Sequence, residues 1–223
     1  MASVRTFTLP HYGAYSVHVA LFKDVKNASF LRRKLLDANP DYDYAFLDAS
    51  MILTPHHLLS ATFLALHGHL THRAKTRTPH SELVFRLSPN NNIGESYKKF
   101  GIADTTTTLV AVKLPLSPSS STASTDEKST YQKDDSITNE SVSLHLGSAV
   151  EGTSVEVGEA GEELGMWCDV EKVKKVYKLG GDGGKKGKKG VVNGDGGDVE
   201  KRKADEKRDI ESVVLGIIAL KGS

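Results

Sequence analysis

A chain of 223 residues is long enough for one large domain or two small ones, yet its hydrophobic content of 38% is low for either, so part of it lies outside any core. The net charge of +1, from 29 basic and 28 acidic residues, excludes a protein held to nucleic acid by overall charge, and any polyanion site must be a local patch. A single cysteine, Cys168, excludes an intramolecular disulfide framework and fits a reducing compartment.

The opening residues, MASVRTFTLPHYG, hold no apolar run of signal-peptide length, and nowhere do about 18 apolar residues run uninterrupted. The expectation is a soluble intracellular protein with no membrane contact, in which the Asn-x-Ser triplets at Asn27 and Asn139 are chance matches. YSVHVALF, from Tyr15 to Phe22, alternates Val17, Val19 and Leu21 against His18 and Ala20, the period of a half-buried strand. Asn27 then offers an N-cap to a helix in ASFLRRKLLDA, with Phe30, Leu31 and Leu35 on one stripe, and Asn39 with Pro40 ends it. Thr54 and Pro55 open a second helix, HHLLSATFLALHGHL, whose Leu58, Leu59, Phe63, Leu64 and Leu66 cover most of its circumference and predict burial at the centre of the fold.

The stretch AKTRTPHSELVFRLSPNNNIGESYKKFGI puts a basic, Thr-rich segment before an apolar run and a triple asparagine. SELVFRL reads as a strand with Leu83, Phe85 and Leu87 inward and Glu82 and Arg86 outward. SPNNN is turn and cap chemistry. IGESYKKFGI predicts a helix with Ile93, Tyr97 and Phe100 on one stripe, Lys98 and Lys99 outside it, and Gly101 as the residue past its end. TTTTLVAVKL is a β-rich run that stops at Pro115.

Residues 116–135 collapse into Ser, Thr, Lys and Asp, which predicts a disordered linker between the main part of the domain, 1–115, and a helical continuation, 136–179. In that continuation SVSLHLGSAV carries only weak order, and MWCDVEKVKKVYKL aligns Val170, Val173 and Tyr177 on a helix. A Gly/Lys-rich tract, 180–208, reads as a second disordered insert. Ile210, Val213, Val214, Ile217 and Ile218 then follow at i, i+3, i+4, i+7 and i+8, an amphipathic helix over 209–223 that must cover either its own domain or a partner's groove.

Several constellations invite chemistry. His67, His69 and His72 in HGHLTH have spacings that chelate zinc, but no acidic residue or cysteine adjoins them and Gly68 loosens the geometry. Cys168 lies in no nucleophile motif, and serine-hydrolase, Walker and dinucleotide patterns are absent. GGDGGKKGKKG lacks the preceding strand of a phosphate-binding loop and reads as a flexible basic linker. Lys75, Arg77 and Arg86, with Lys98 and Lys99, form a candidate phosphate patch if the following helix folds back. The bland alternative makes these lysines a solvated face and the asparagines turn formers.

The segments LFKDVKNASFLRRK, KTRTPHSELVFRLSPNNNI and YKKFGI, with the later VEKVKKVYKL, resemble the PRPK-binding protein (TPRKB) family, the small regulatory subunit of the KEOPS/EKC complex. The resemblance covers Tyr15 to Leu114, and more loosely Ser141 to Leu179 and Asp209 to Ser223; the two low-complexity tracts depart from the compact family pattern. It implies an α/β (α+β) fold, with helices packed about a central mixed, largely antiparallel sheet, here a single domain with two disordered insertions.

The resemblance further implies a noncatalytic protein without cofactor or metal, present in nucleus and cytoplasm. Such a subunit binds the PRPK-type atypical kinase/ATPase and, through it, meets the threonylcarbamoyl transferase subunit. It also recruits tRNA by its 3′ CCA end for threonylcarbamoyladenosine modification next to the anticodon, and the complex is linked to telomere maintenance and transcription. On that basis Lys75, Arg77 and Arg86 are expected to contact phosphates while Asn90, Asn91 and Asn92 shape the pocket or touch bases. The kinase is expected on Val213, Val214, Ile217 and Ile218. The competing expectation is a small metal-dependent hydrolase or phosphate-binding enzyme built on the histidine cluster.

Overall fold

The computed structural model describes residues 1–119, 131–179 and 196–221. Four strands, β1 (Val4–Phe7), β2 (Val17–Lys23), β3 (Ala45–Asp48) and β4 (Leu109–Lys113), form an antiparallel sheet in the order β1-β2-β4-β3. β5 (Leu116–Pro118) pairs with β6 (Tyr131–Lys133) as a separate ribbon, and β7 (Thr153–Val155) pairs with the end of β2. Helices α1 (Ala28–Leu36), α2 (Pro55–Leu70), α3 (Pro79–Leu87), α4 (Ile93–Phe100), α5 (Asn139–Ala149), α6 (Val170–Tyr177) and α7 (Gly196–Leu220) complete the α+β domain.

Pleating sends alternate residues of a strand to opposite faces, and here both faces are covered. Val17, Val19 and Leu21 of β2 join Leu47, Val110 and Val112 in one core, shared with Leu58 of α2, Leu83 of α3, Val173 of α6 and Val214 of α7. Ala20 and Phe22 face the other way, into a second core with Phe46, Ala111, Leu31 of α1 and Leu146 of α5. β2 is therefore buried from Val17 to Phe22 rather than half-buried as its alternation suggests. α1 and α5 supply the second layer that the alternation could not reveal.

The segment SELVFRL is a helix, α3, and not a strand. Thr78 accepts a hydrogen bond from the Ser81 amide at 3.1 Å, and Pro79 takes the first helical position, the same start signal that opens α2 at Thr54 and Pro55. Helical spacing puts Glu82 and Arg86 one turn apart, and both are buried. α4 ends on Gly101 with φ −73° and ψ 166°, so the glycine is not there for a left-handed turn. A Cβ at Gly101 would meet the Tyr97 carbonyl oxygen at 2.7 Å.

The tract expected to be disordered over 116–135 has paired strands at 116–118 and 131–133, and 120–130 lie outside the described residues. SVSLHLGSAV is a full helix, α5, started by a reciprocal cap between Thr138 and Ser141. α7 begins within the 180–208 tract, at Gly196, while 180–195 lie outside the described residues. Asn27 does not cap α1; its amide donates to the Ala149 carbonyl at 2.9 Å and accepts from the Glu151 amide at 3.0 Å, joining α1 to α5.

Candidate functional site

A groove of about 1560 Å³ opens where α1, α3, α4, α5, β4 and the β5–β6 ribbon converge. The 41–44 segment, DYDY, forms its floor, entered through a tight turn that Asn39 caps by accepting the Asp41 amide at 3.0 Å. Ser81 at the start of α3 and Tyr97 of α4 line one wall, their hydroxyls 3.1 Å apart. Tyr131 of β6 and His145 of α5 also line it. Tyr44 stacks on Phe46 on one side and on the His145 ring on the other, with centroids 5.3 and 5.5 Å away, and Tyr42 meets His145 edge-on. Lys34 lies over the rings of the exposed Phe30 and of Tyr42, so the aromatic row continues out of the groove.

The floor carries one fixed carboxylate. Burial would raise the Asp43 carboxyl, but His80, through its field and its hydrogen bond, and Lys113 override burial and hold it at about 2. The Leu114 amide donates to His80 Nε2 at 3.0 Å, which leaves the proton on Nδ1, 3.0 Å from Asp43 Oδ1. Burial lowers the His80 imidazole, and the neighbouring Asp43 opposes that shift. The Lys113 ammonium donates to the Asp43 carbonyl at 2.6 Å and sits 4.7 Å over the Tyr44 ring. Burial raises the Tyr131 hydroxyl to about 12, reinforced by Asp43 and opposed by Arg77. The groove therefore offers aromatic faces, neutral hydroxyls, the carboxylates of Asp41, Asp43, Asp104 and Asp134, and the cations Arg32, Arg77, Lys98 and Lys113.

Of the residues expected to bind tRNA, Arg77 alone lines this groove. It is exposed and makes no ion pair among the described residues, whereas Lys98, also in the lining, is paired with Glu95 at 2.7 Å. Lys75 is exposed but outside the lining. Arg86 is not a surface cation: its side chain is 6% exposed, its Nε donates to Glu82 Oε1 at 2.8 Å, and Nη1 donates to the Lys221 carbonyl. Asn90 and Asn92 use their side chains on the turn itself. Asn90 Oδ1 accepts from the Asn92 amide at 2.9 Å, and Asn92 Oδ1 caps α4 by accepting from the Glu95 amide at 3.1 Å. Asn91 is exposed, and none of the three lines the groove.

The apolar helix divides in the same way. Val214 and Ile218, with Ile210, are buried against the domain and are not available to a partner. Val213 is 49% exposed, Ile217 is half-buried, and Leu220 is 76% exposed. Val213, Ile217 and Leu220 repeat at i, i+4 and i+7, a second stripe on α7 whose Val213 and Leu220 face outward while Ile217 packs partly against the core.

The histidine cluster does not converge. His67 Nδ1 pairs with the Tyr12 hydroxyl at 2.6 Å, the His69 ring is buried edge-on to Tyr131, and His72 stands in the turn after α2. Among the described residues, no three His, Cys, Asp or Glu side chains are grouped to hold a metal ion. Burial pushes the Cys168 thiol up to about 11, which leaves it protonated and a poor nucleophile at pH 7. No helix among the described residues is long and apolar enough to cross a membrane. The residues the sequence reading passed over are Tyr42, Asp43, Tyr44, His80, Lys113, Tyr131 and His145. The DYDY run after the Asn39–Pro40 helix stop was the available signal, but its convergence with Tyr131 and His145 depends on tertiary structure.

A family model described as kinase binding protein CGI-121 matches residues 22–222. The chain is 62% identical to the EKC/KEOPS complex subunit CGI121 of Phaeosphaeria nodorum, over 99% of this chain and all of that protein. It is 41% identical to the EKC/KEOPS complex subunit cgi121 of Aspergillus fumigatus, over 99% and 97% of the two chains. The EKC/KEOPS complex subunit TPRKB of Danio rerio is 34% identical over 76% of this chain and 82% of its own. That last protein bears the name of the family that the KTRT and SPNNNI motifs resemble.

Proposed function

Because the chain belongs to the CGI-121 family of kinase-binding proteins, we propose that it is a noncatalytic regulatory subunit of an EKC/KEOPS complex that docks a PRPK-type kinase/ATPase. The observation that carries the docking surface is the outward stripe of α7. Val214 and Ile218 anchor the helix to its own core and Ile217 packs partly against it, while Val213 and Leu220 are 49% and 76% exposed on the flank beside them. An amphipathic helix that already satisfies its inner face presents such a stripe as a rigid ridge, which a partner's apolar groove covers without an ordering cost. Val213→Asp with Leu220→Asp is expected to abolish copurification of the kinase while leaving the helical content of the chain unchanged. Copurification at the parent's level would remove α7 from the interface.

The finer part of the reading is tRNA recruitment by the single-stranded 3′ CCA end. A splayed tail needs phosphate neutralisation and stacking surfaces, and no catalytic group. The groove supplies the exposed Arg77 on its rim with Tyr42, Tyr131 and His145 inside, so the tail site proposed here is the groove and not the Asn turn. Through the kinase the subunit meets the threonylcarbamoyl transferase, and the recruited tRNA receives threonylcarbamoyladenosine next to its anticodon. On this reading the protein works in the cytoplasm and nucleus, the nuclear pool serving telomere and transcription roles. Arg77→Glu is expected to weaken binding of tRNA with an intact CCA end at fixed salt, and equal binding by variant and parent would sink the assignment.

A further inference from the structure

Lys221, in the turn that ends α7, is a buried lysine that makes no ion pair among the described residues. Its ammonium donates to three carbonyl oxygens of one segment: Phe85, Ser88 at 2.6 Å and Asn90 at 2.7 Å. The Phe85 carbonyl, in the last turn of α3, also accepts the Ser88 amide at 3.2 Å, and Ser88 and Asn90 follow the helix end, so the cation stands where it is best placed against the helix dipole. The Lys221 backbone carbonyl in turn accepts from Arg86, and the Arg86–Glu82 ion pair carries the connection onward. Glu82 Oε2 accepts the Lys75 and Thr76 amides at 2.9 and 2.8 Å, one residue short of Arg77.

Two routes thus run from the last turn of α7 to the walls of the groove. One passes through Glu82 to the 75–77 loop, which carries Arg77. The other passes through Asn90, whose side chain holds the Asn92 amide, to the cap of α4, the helix that carries Tyr97 and Lys98 into the groove. Resting on the nucleic-acid reading of the groove, we propose that Lys221 is a positioning residue, which ties the seating of α7 to the placement of Arg77 and α4 and so to RNA affinity. It touches no RNA itself. A partner that seats on the outer stripe of α7 and steadies its last turn therefore also steadies the groove.

Replacing Lys221 by Met keeps the stem and removes all three donors; the Asn90 carbonyl, at the surface, finds water instead, the buried Phe85 and Ser88 carbonyls lose a donor, and the Glu82–Arg86 pair stays intact. The experiment compares Lys221→Met with the parent in the full chain. The probes are tRNA with and without its CCA end at one salt concentration, and amide hydrogen exchange. The expected result is faster exchange at the Lys75 and Thr76 amides and a loss of about tenfold in affinity for the intact tRNA, within the range of couplings transmitted through packed networks. Binding of trimmed tRNA is expected to stay at the parental level, which general destabilisation would not allow. Lys221→Gln, which keeps an amide donor, is expected to fall between and serves if the Met variant does not fold.

Parental exchange at Lys75 and Thr76 overturns the proposal, as does faster exchange there with parental affinity for intact tRNA. A parent that binds intact and trimmed tRNA equally refutes the nucleic-acid reading itself, and the exchange data alone then decide whether Lys221 holds the loop.

Discussion

Arg86→Met is the perturbation that most sharply separates a structural guanidinium from a phosphate-binding one. Glu82 is fully buried and is compensated by Arg86 and by the Lys75 and Thr76 amides, so removing the guanidinium leaves a charge with two neutral donors and no counter-ion. Breaking one side of a buried pair costs about 3–5 kcal/mol, because the surviving charge stays in a low-dielectric site. In a chain of this size that loss lowers Tm by roughly 6–20 °C. The assay is urea denaturation followed by circular dichroism, with the Glu82→Gln, Arg86→Met double variant alongside. Neutralising Glu82 removes the orphaned charge, so the double variant is expected to recover most of the stability lost by Arg86→Met. A loss below about 1 kcal/mol for Arg86→Met would refute the argument, since surface ion pairs carry no more than that.

Three further outcomes follow from the same geometry. Asp43 titrates at about 2 in the fold against 3.8 outside it, so between those values the unfolded chain binds more protons and stability rises with pH. That contribution, about 2 kcal/mol, is complete above 3.8 and lost as pH falls through 2; acid titrations of stability should show it in the parent and not in Asp43→Asn. Gly101→Ala drives a methyl into the Tyr97 carbonyl at the end of α4 and is expected to cost about 1–3 kcal/mol in thermal denaturation, an unchanged Tm contradicting the clash. Leu31→Ala, in the second core beneath α1, should cost about 2–5 kcal/mol by urea titration, and a smaller loss would mean that the α1 layer is not tightly packed.

The α2 start was legible because Thr54 and Pro55 carry a cap and a fixed first dihedral, and the helix Val170–Tyr177 because Val173 and Tyr177 share a face. The same Thr-Pro signal stood at Thr78 and Pro79, but the Leu83, Phe85, Leu87 alternation outweighed it, and a period-two pattern is ambiguous when Val84 is also buried. Reading α3 as a strand turned Arg86 outward and made it a phosphate contact; on a helix it falls one turn from Glu82 and inside the protein. Sequence also marked α7 as amphipathic without saying which of its two apolar stripes the domain takes. That choice rests on packing against α2 and α6, which leaves Val213 and Leu220 outside. The groove was the least legible part, since Tyr44 and His145 lie a hundred residues apart and meet only because α5 packs across the sheet.

The central claim is that a kinase docks on the outer face of α7, and calorimetric titration of a purified PRPK-type kinase into this chain tests it most directly. Parent and the Val213→Asp, Leu220→Asp variant are titrated in the same buffer. Two large apolar side chains at an interface contribute about 1.5–3 kcal/mol each, so the account predicts stoichiometric binding by the parent and a loss of roughly 100-fold or more in the variant. Binding of the variant with the parent's affinity, or no binding by the parent, would contradict it.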